Sequence, residues 1–560
     1  MLAAASLTLS GCYDLDRTPA DQLSSGTFFK TKTHADQAMM GVYNRLQDNN
    51  VFGIQFAMDC LGGVAMGYDW QSYQTFQRGT YDVRNGWVAN KWTALYESVA
   101  RANIVLQNVD KTDMDETLKA RYKGEARFMR GLFYFTLLDF FGGVPLYDES
   151  VVVAERFSEM KEPRSSAEEV RAFVLKDLDA AIAALPEEWD KANYGRATKY
   201  AAIALKGKVL LYNKQYKEAA ACFRQLVDSG KFALYDDYAK LFLPGGDESS
   251  EMIFAVQNMG GVGTDHGMPM CFYMGTRASF GSSWNNVMAA KTFVDSYEYK
   301  DGKPFNWDDW FPGIKTDKAV MKSTFEATLD KNKDLEAYPA GRDKLLEMYA
   351  KRDPRMAATI LLPYTNYLGW YKNAPAPSEF VINKSISDGH GLVRINGGGY
   401  YECYPWRKFV PEGNMDGAIN NRAHTPINFP LIRYADVLLM LAECLNEDGD
   451  QSGAVALINK VRARVGMPGI NSGPAWLQAN SRDEVFERIR HERAVEFAGE
   501  GLSFSDMKRW RLLETLNGRK EQGVLGTTLY TRTVTKRDYL WPIPAAEIEK
   551  NDALTQNPDW

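Results

Sequence analysis

Cysteine is scarce in this chain of 560 residues: Cys12, Cys60, Cys222, Cys271, Cys403 and Cys444 are all it holds. Their wide spacing, with no Cys-x-x-Cys pair, indicates neither a zinc site nor a disulfide framework, so the five after Cys12 read as core thiols. Histidine is scarcer still, at five residues, and although His491-Glu492 opens a zinc-protease pattern no second histidine follows at the spacing that chemistry needs. Long apolar runs are missing: past the first few residues nothing approaches the roughly 18 uninterrupted apolar positions of a membrane-spanning helix. Positive charge is not in excess either. Lys and Arg total 66 against 72 Asp and Glu, a net charge of −6, and this argues against a phosphate-backbone partner, so no nucleic acid is expected.

The motifs of common cofactors are equally thin. Gly260-Gly261-Val262-Gly263 has the glycines of a phosphate loop but no lysine and no strand pattern before it. Asp330-Lys331-Asn332-Lys333-Asp334 begins like a calcium loop, yet Leu335 and Gly341 stand where the turn glycine and the bidentate glutamate belong. No G-x-S-x-G elbow occurs. Neither a cofactor nor a metal is expected.

What is present starts at Leu9-Ser10-Gly11-Cys12, a small-residue site directly behind the short apolar stretch Leu2 to Leu9. This is the pattern a lipoprotein signal peptidase reads, although no Lys or Arg precedes it as in most secretory leaders. Residues 1–11 are expected to be a signal peptide and Cys12 the lipidated start of the mature chain. Two or three acyl chains, at about 0.8 kcal/mol per buried methylene, make a stable anchor. Residues 12–26 are polar and without periodicity, an extended tether of about 45 Å at most.

The body divides by texture. Over 27–257 apolar residues recur at helical spacing, for example Val170, Val174, Leu178, Ile182 and Leu185, closed by Pro186. Ala201, Leu205, Leu210, Tyr212, Tyr216, Ala219, Ala220 and Phe223 have the small-and-aromatic pattern of a tetratricopeptide helix pair. Over 258–425 that periodicity fades while glycine, proline and aromatic residues crowd together, which predicts a loop-rich insertion. Helices return over 426–515, with a second candidate pair from Ala435 to Val465 and a capping box at Ser481 and Glu484. The charged face Arg490, Glu492, Arg493 and Glu496 reads as ion pairs docking that last helix, and 516–560 as a tail on the body. The expected fold class is mainly α: a tetratricopeptide-like scaffold with a long aromatic-rich insertion.

Five blocks in order along the chain make this reading more specific. Trp92-Thr93-Ala94-Leu95-Tyr96 with Arg101-Ala102-Asn103, and Gly124-Glu125-Ala126-Arg127-Phe128-Met129-Arg130 running into Phe140-Phe141-Gly142-Gly143-Val144-Pro145-Leu146, form the N-terminal blocks. Arg433-Tyr434-Ala435-Asp436-Val437-Leu438-Leu439-Met440, then Glu492-Arg493 to Glu500-Gly501 with Arg509-Trp510, and finally Trp541-Pro542-Ile543-Pro544 with Gln556-Asn557-Pro558-Asp559-Trp560, form the C-terminal ones. Together they resemble the SusD/RagB-like lipoproteins, with Asp552 and Asp559 departing from the usual proline and glycine of the closing block. The resemblance implies an outer-membrane lipoprotein without catalytic activity, body facing the cell exterior, binding a glycan or other nutrient on its loops. It also implies a partner, a SusC-like TonB-dependent transporter barrel that the lipoprotein covers as a lid.

Capture of an oligosaccharide needs flat ring faces for the C–H side of the sugar and a few polar groups to fix hydroxyls. Two segments supply both: Asp69-Trp70-Gln71-Ser72-Tyr73, and the insertion with Tyr273, Arg277, Trp284, Asn285, Trp307, Trp310, Trp370 and Tyr371. The expected ligand contacts are Asp69, Trp70, Tyr73, Tyr273, Arg277, Trp284, Trp307, Trp310 and Trp370. A peptide ligand on the same architecture is the alternative. The third reading is a helical glycoside hydrolase, which needs two facing carboxylates; Asp69, Asp295, Glu298, Asp308 and Asp309 qualify by type alone.

Overall fold

The computed structural model describes residues 28–560 except Tyr68, 153–155, 157–159, 260–266, 333–334, 384–391 and 397–402. The leader, Cys12 and the tether lie outside the described residues, as do Gly260, Gly261, Gly263 and Gly397 to Gly399.

The scaffold helices are α1 (Lys32–Tyr43), α2 (Gly86–Asn108), α3 (Glu116–Phe141), α4 (Ala167–Ala184), α5 (Lys199–Tyr212), α6 (Tyr216–Asp228), α7 (Tyr434–Glu447), α8 (Gln451–Arg464) and α9 (Arg482–Glu496). All but α6 and α7 begin with a side chain that accepts from their free amides. Asn85, Asp115 and Thr198 accept from the first turns of α2, α3 and α5, and Ser166 with Glu169 and Ser481 with Glu484 form full capping boxes on α4 and α9. The apolar stripe expected on α4 is buried at Val170, Val174 and Leu178. Between α5 and α6 the turn passes through Lys214 at φ +60°, and Gly207 lets the helices close: a Cβ there would lie 2.6 Å from the Phe223 ring. This is the small-against-aromatic contact of a tetratricopeptide pair.

Successive helices pack on one another from α1 to α6, and α6 then packs on α7, which is joined by α8 and α9. The stack therefore runs straight from residue 228 to residue 434 while the intervening chain loops out. At its neck, β2 (Met252–Val256) pairs antiparallel with β7 (Phe429–Arg433), Met252 opposite Arg433 and Val256 opposite Phe429. The expectation that no strand precedes Gly260 is thereby corrected. Ile253 to Val256 are all buried, so the strand reads as a plain apolar run without the alternation that marks a half-exposed one.

The insertion also holds order that periodicity does not reveal. With β1 (Ala65–Gly67) and β3 (Val287–Ala289) forming one short pair, β4 (Asn366–Tyr371) and β5 (Ala374–Asn383) form a hairpin, and β6 (Leu392–Asn396) adds to β5 in parallel. Among the described residues no helix is long and apolar enough to cross a membrane, and Cys60, Cys222, Cys271, Cys403 and Cys444 are buried.

A buried charge network locks the insertion to the scaffold. Arg355 of the insertion meets Asp353 at 2.7 Å, Glu492 at 2.5 Å and Glu496 at 3.0 Å, and Lys408 meets Glu500 at 2.6 Å. Arg433 in turn binds Glu251, Glu496 and Glu500 at 2.7 to 2.8 Å. On the same helix Arg493 binds Asp436 and Asp506, whereas among the described residues Arg490 pairs only with Glu487 of its own helix. Buried charges of this kind are tolerated because each is matched and hydrogen-bonded; removing one partner costs about 3 to 5 kcal/mol.

Candidate functional site

Two chain segments more than 200 residues apart are brought together by the β1–β3 pair. Gly67 lies opposite Val287, so the chain leaving β1 runs beside the chain entering β3. Immediately after β1 the Asp69 carboxylate caps a single turn, Trp70–Ser72, by accepting from the Ser72 amide at 3.1 Å, while Ser72 Oγ accepts from the Asp69 amide. Any side chain at position 67 would collide with Ser72, so glycine there is what allows the turn to fold back on the strand. From the other side, Asn286 donates to the second oxygen of Asp69. Burial pushes the Asp69 carboxyl above the usual range, and the bonds from Ser72 and Asn286 only partly offset it. The short helix Met270–Met274 completes the frame, its Phe272 and the following Gly275 accepting from the amides of Trp284 and Asn285 at 2.8 and 2.7 Å.

This frame carries exposed rings. Trp70 is 43 % exposed and lies on Trp87 with centroids 5.3 Å apart and planes 21° from parallel. Trp87 is itself buried and donates Nε1–H to the Trp70 carbonyl at 2.8 Å, so the outer ring rests on a fixed inner one. Trp284 is 38 % exposed, 4.6 Å from Phe272, with the Arg422 guanidinium 4.5 Å from the Phe272 centroid and 5.9 Å from that of Trp284. Half-buried Tyr273 has its hydroxyl pKa raised by burial and then by the Asp69 carboxylate, which places those two groups within electrostatic reach. Arg277 is exposed, its Nη1 donating to the Ser282 carbonyl at 3.4 Å. Trp370 is half-buried on β4, tied to the same loop by its amide on the Ala278 carbonyl at 2.7 Å and by its ring 5.1 Å from Phe280.

Of the expected contacts, then, Asp69, Trp70, Tyr273, Arg277, Trp284 and Trp370 share one connected region. Tyr73, Trp307 and Trp310 do not. Tyr73 sits at φ +56°, which turns its ring inward against Trp87, Phe76 and Trp541. Trp307 is buried, its Nε1 on Asp295 at 2.9 Å, and Trp310 is half-buried with Nε1 on the Tyr299 hydroxyl at 3.0 Å. Phe272, Arg422, Asn286 and Trp87 belong to the region without having been expected there. Only the acid-free run around Trp284 could have pointed to Asn286 and Phe272.

The carboxylates that a hydrolase would require each have a structural partner. Asp295 binds Lys291 and Trp307, Glu298 binds Arg462 and Arg488, Asp308 accepts from the Gly313 amide, and Asp309 binds Lys303 and Tyr299.

Comparison with known proteins builds on this geometry. The sequence profile described as the SusD family matches residues 250–560, more than half of the chain. The chain belongs to the SusD family. A second profile, described as starch-binding and associating with the outer membrane, matches residues 15–211. The chain is 24 % identical to the SusD-like protein P25 of Formosa agariphila over 97 % of its own length and 94 % of that protein's. It is 23 % identical to the starch-binding protein SusD of Bacteroides thetaiotaomicron over 100 % and 97 % of the two chains. In three dimensions it resembles a SusD-like carbohydrate-binding protein from Bacteroides fragilis with a TM-score of 0.75 at 23 % identity, covering 94 % of this chain and 100 % of that one. The last two are named as binding proteins, and the fold is shared with the Bacteroides fragilis structure.

Proposed function

We propose that this chain is a non-catalytic receptor for an oligosaccharide, anchored in the outer membrane through Cys12, that passes its ligand to a TonB-dependent transporter barrel. The observation that carries the reading is the pair of exposed indoles, Trp70 and Trp284, on segments held together by β1, β3 and the Asp69–Asn286 bond. Exposed, braced rings among amide, carboxylate and guanidinium groups suit the alternating C–H and hydroxyl faces of a sugar. Membership of the SusD family and the starch-binding names among relatives support the ligand class.

The test is to incubate the purified protein with a panel of polysaccharides and of peptides while following retention and product release. Retained, uncleaved glycan is the expected result. Turnover of sugar would defeat the proposal, and peptide retention without glycan retention would replace its ligand. Co-purification of a barrel transporter from solubilised outer membranes tests the partner.

A further inference from the structure

We infer that the ligand of this surface is an anionic oligosaccharide, one bearing carboxylate or sulfate groups, with Arg277 and Arg422 as the residues that read its charge. The inference rests on the glycan reading above and specifies its substrate class.

Four segments meet at the Trp70–Trp284 region, and their sequences are one-sided in charge. Residues 267–294, 366–378 and 417–435 contain no Asp or Glu, and 70–81 contain none either. Among the described residues the carboxylates bonded into the Trp70–Trp370 part of the frame are committed: both oxygens of Asp69 are occupied by Ser72 and Asn286, and Glu412 accepts from the Leu368 amide and pairs with Arg407 at 3.1 Å. In a chain with more acids than bases this is a local reversal.

The cations are also uncommitted. The buried arginines of the scaffold, Arg130, Arg433, Arg493 and Arg509, are each matched to carboxylate. Among the described residues Arg277 and Arg422 have no carboxylate partner. Arg422 donates Nη1 to the carbonyls of Gly281 and Ser282, and Arg277 donates to that same Ser282 carbonyl. The two guanidiniums are thus held on one carbonyl beside Trp284 while their other N–H groups have no partner among the described residues.

A guanidinium fork matches the two oxygens of a carboxylate or sulfate, and charge-assisted bonds are about twice as strong as neutral ones. Gathering like charges from two segments at one carbonyl without counter-ions is unfavourable for the free protein, and an anionic ligand relieves that repulsion. A neutral glycan would gain nothing from it.

The experiment compares polymers that differ in charge alone: polygalacturonate against its methyl ester, and dextran sulfate against dextran. The expected result is that at least one charged form binds about ten-fold tighter than its neutral twin at low salt, and that 0.5 M NaCl and Arg277→Gln each collapse the ratio. Whether the carboxylated or the sulfated arm responds identifies the group. Arg422→Lys, which keeps the charge but loses the fork, should lower the ratio with an unchanged melting temperature and so separates recognition from folding. Equal binding of charged and neutral forms, abolished by Trp284→Ala, would overturn this inference and leave the glycan reading intact. A charge preference untouched by Arg277→Gln and Arg422→Lys would also overturn it. Failure of every polymer to bind would remove both.

Discussion

Single residues decide whether the ring surface exists. Replacing Trp70 or Trp284 by Ala should weaken glycan binding by about 1 to 3 kcal/mol, because each removes one exposed ring face. Isothermal titration alongside thermal melting checks it: lost affinity with an unchanged melting temperature is the expected pattern, whereas lost folding marks the ring as core. Gly67→Ala should also reduce binding, since the new methyl displaces Ser72 and with it the Asp69 cap that aims Trp70; the change is read in the same titration, with tryptophan fluorescence reporting the shift of Trp70 off Trp87. Polar neighbours were a usable guide to Trp70 and Trp284. They failed for Trp307, whose sequence context Asn306-Trp307-Asp308-Asp309 is polar while its indole is buried on Asp295. Tyr73 was illegible for another reason: a single left-handed residue reverses the direction of a side chain, and nothing in the sequence around it demands that conformation.

At the scale of elements, the scaffold was readable because helices announce themselves with caps, stripes and stops. The hairpin β4–β5 was not. It carries Gly369, Pro375 and Pro377, residues that argue against strand structure, and its order comes from partners such as the Ala278 carbonyl, which are distant in sequence. Element docking also sets the response to acid. Asp436 of α7 lies between Lys208 of α5 and Arg493 of α9; burial disfavours its charge, but the two cations outweigh it and hold its pKa at about 2 against the usual 3.8. A group depressed in this way contributes stability that is complete above about pH 4 and fades as pH falls towards 2. The contribution is on the order of 2 kcal/mol. Chemical denaturation of the parent and of Asp436→Asn should accordingly show a stability gap that narrows between pH 4 and pH 2, and a gap independent of pH would refute the assignment.

For the molecule as a whole, the proposed lipid anchor at Cys12 is open to a direct test. Replacing Cys12 by Ser should move the protein from the membrane to the soluble fraction while ligand affinity is unchanged; retention in membranes would count against the anchor. Trp541 raises a separate matter. Its ring packs 4.7 Å from both Phe76 and Phe140, and its amide bonds the Phe140 carbonyl at 2.7 Å. A group near the far end of the chain thus plugs the core of the opening helices, as β7 closes on β2 and α7 on α6. Such distant closures carry a large loop entropy that must be met before any of them is rewarded. A nascent chain would hold its first helices without their cover until residue 541 is made, and a product ending at residue 535 should be degraded or aggregate rather than accumulate as a folded fragment, which pulse-chase labelling would detect. The opening helices thus depend for their final packing on a ring more than 400 residues downstream.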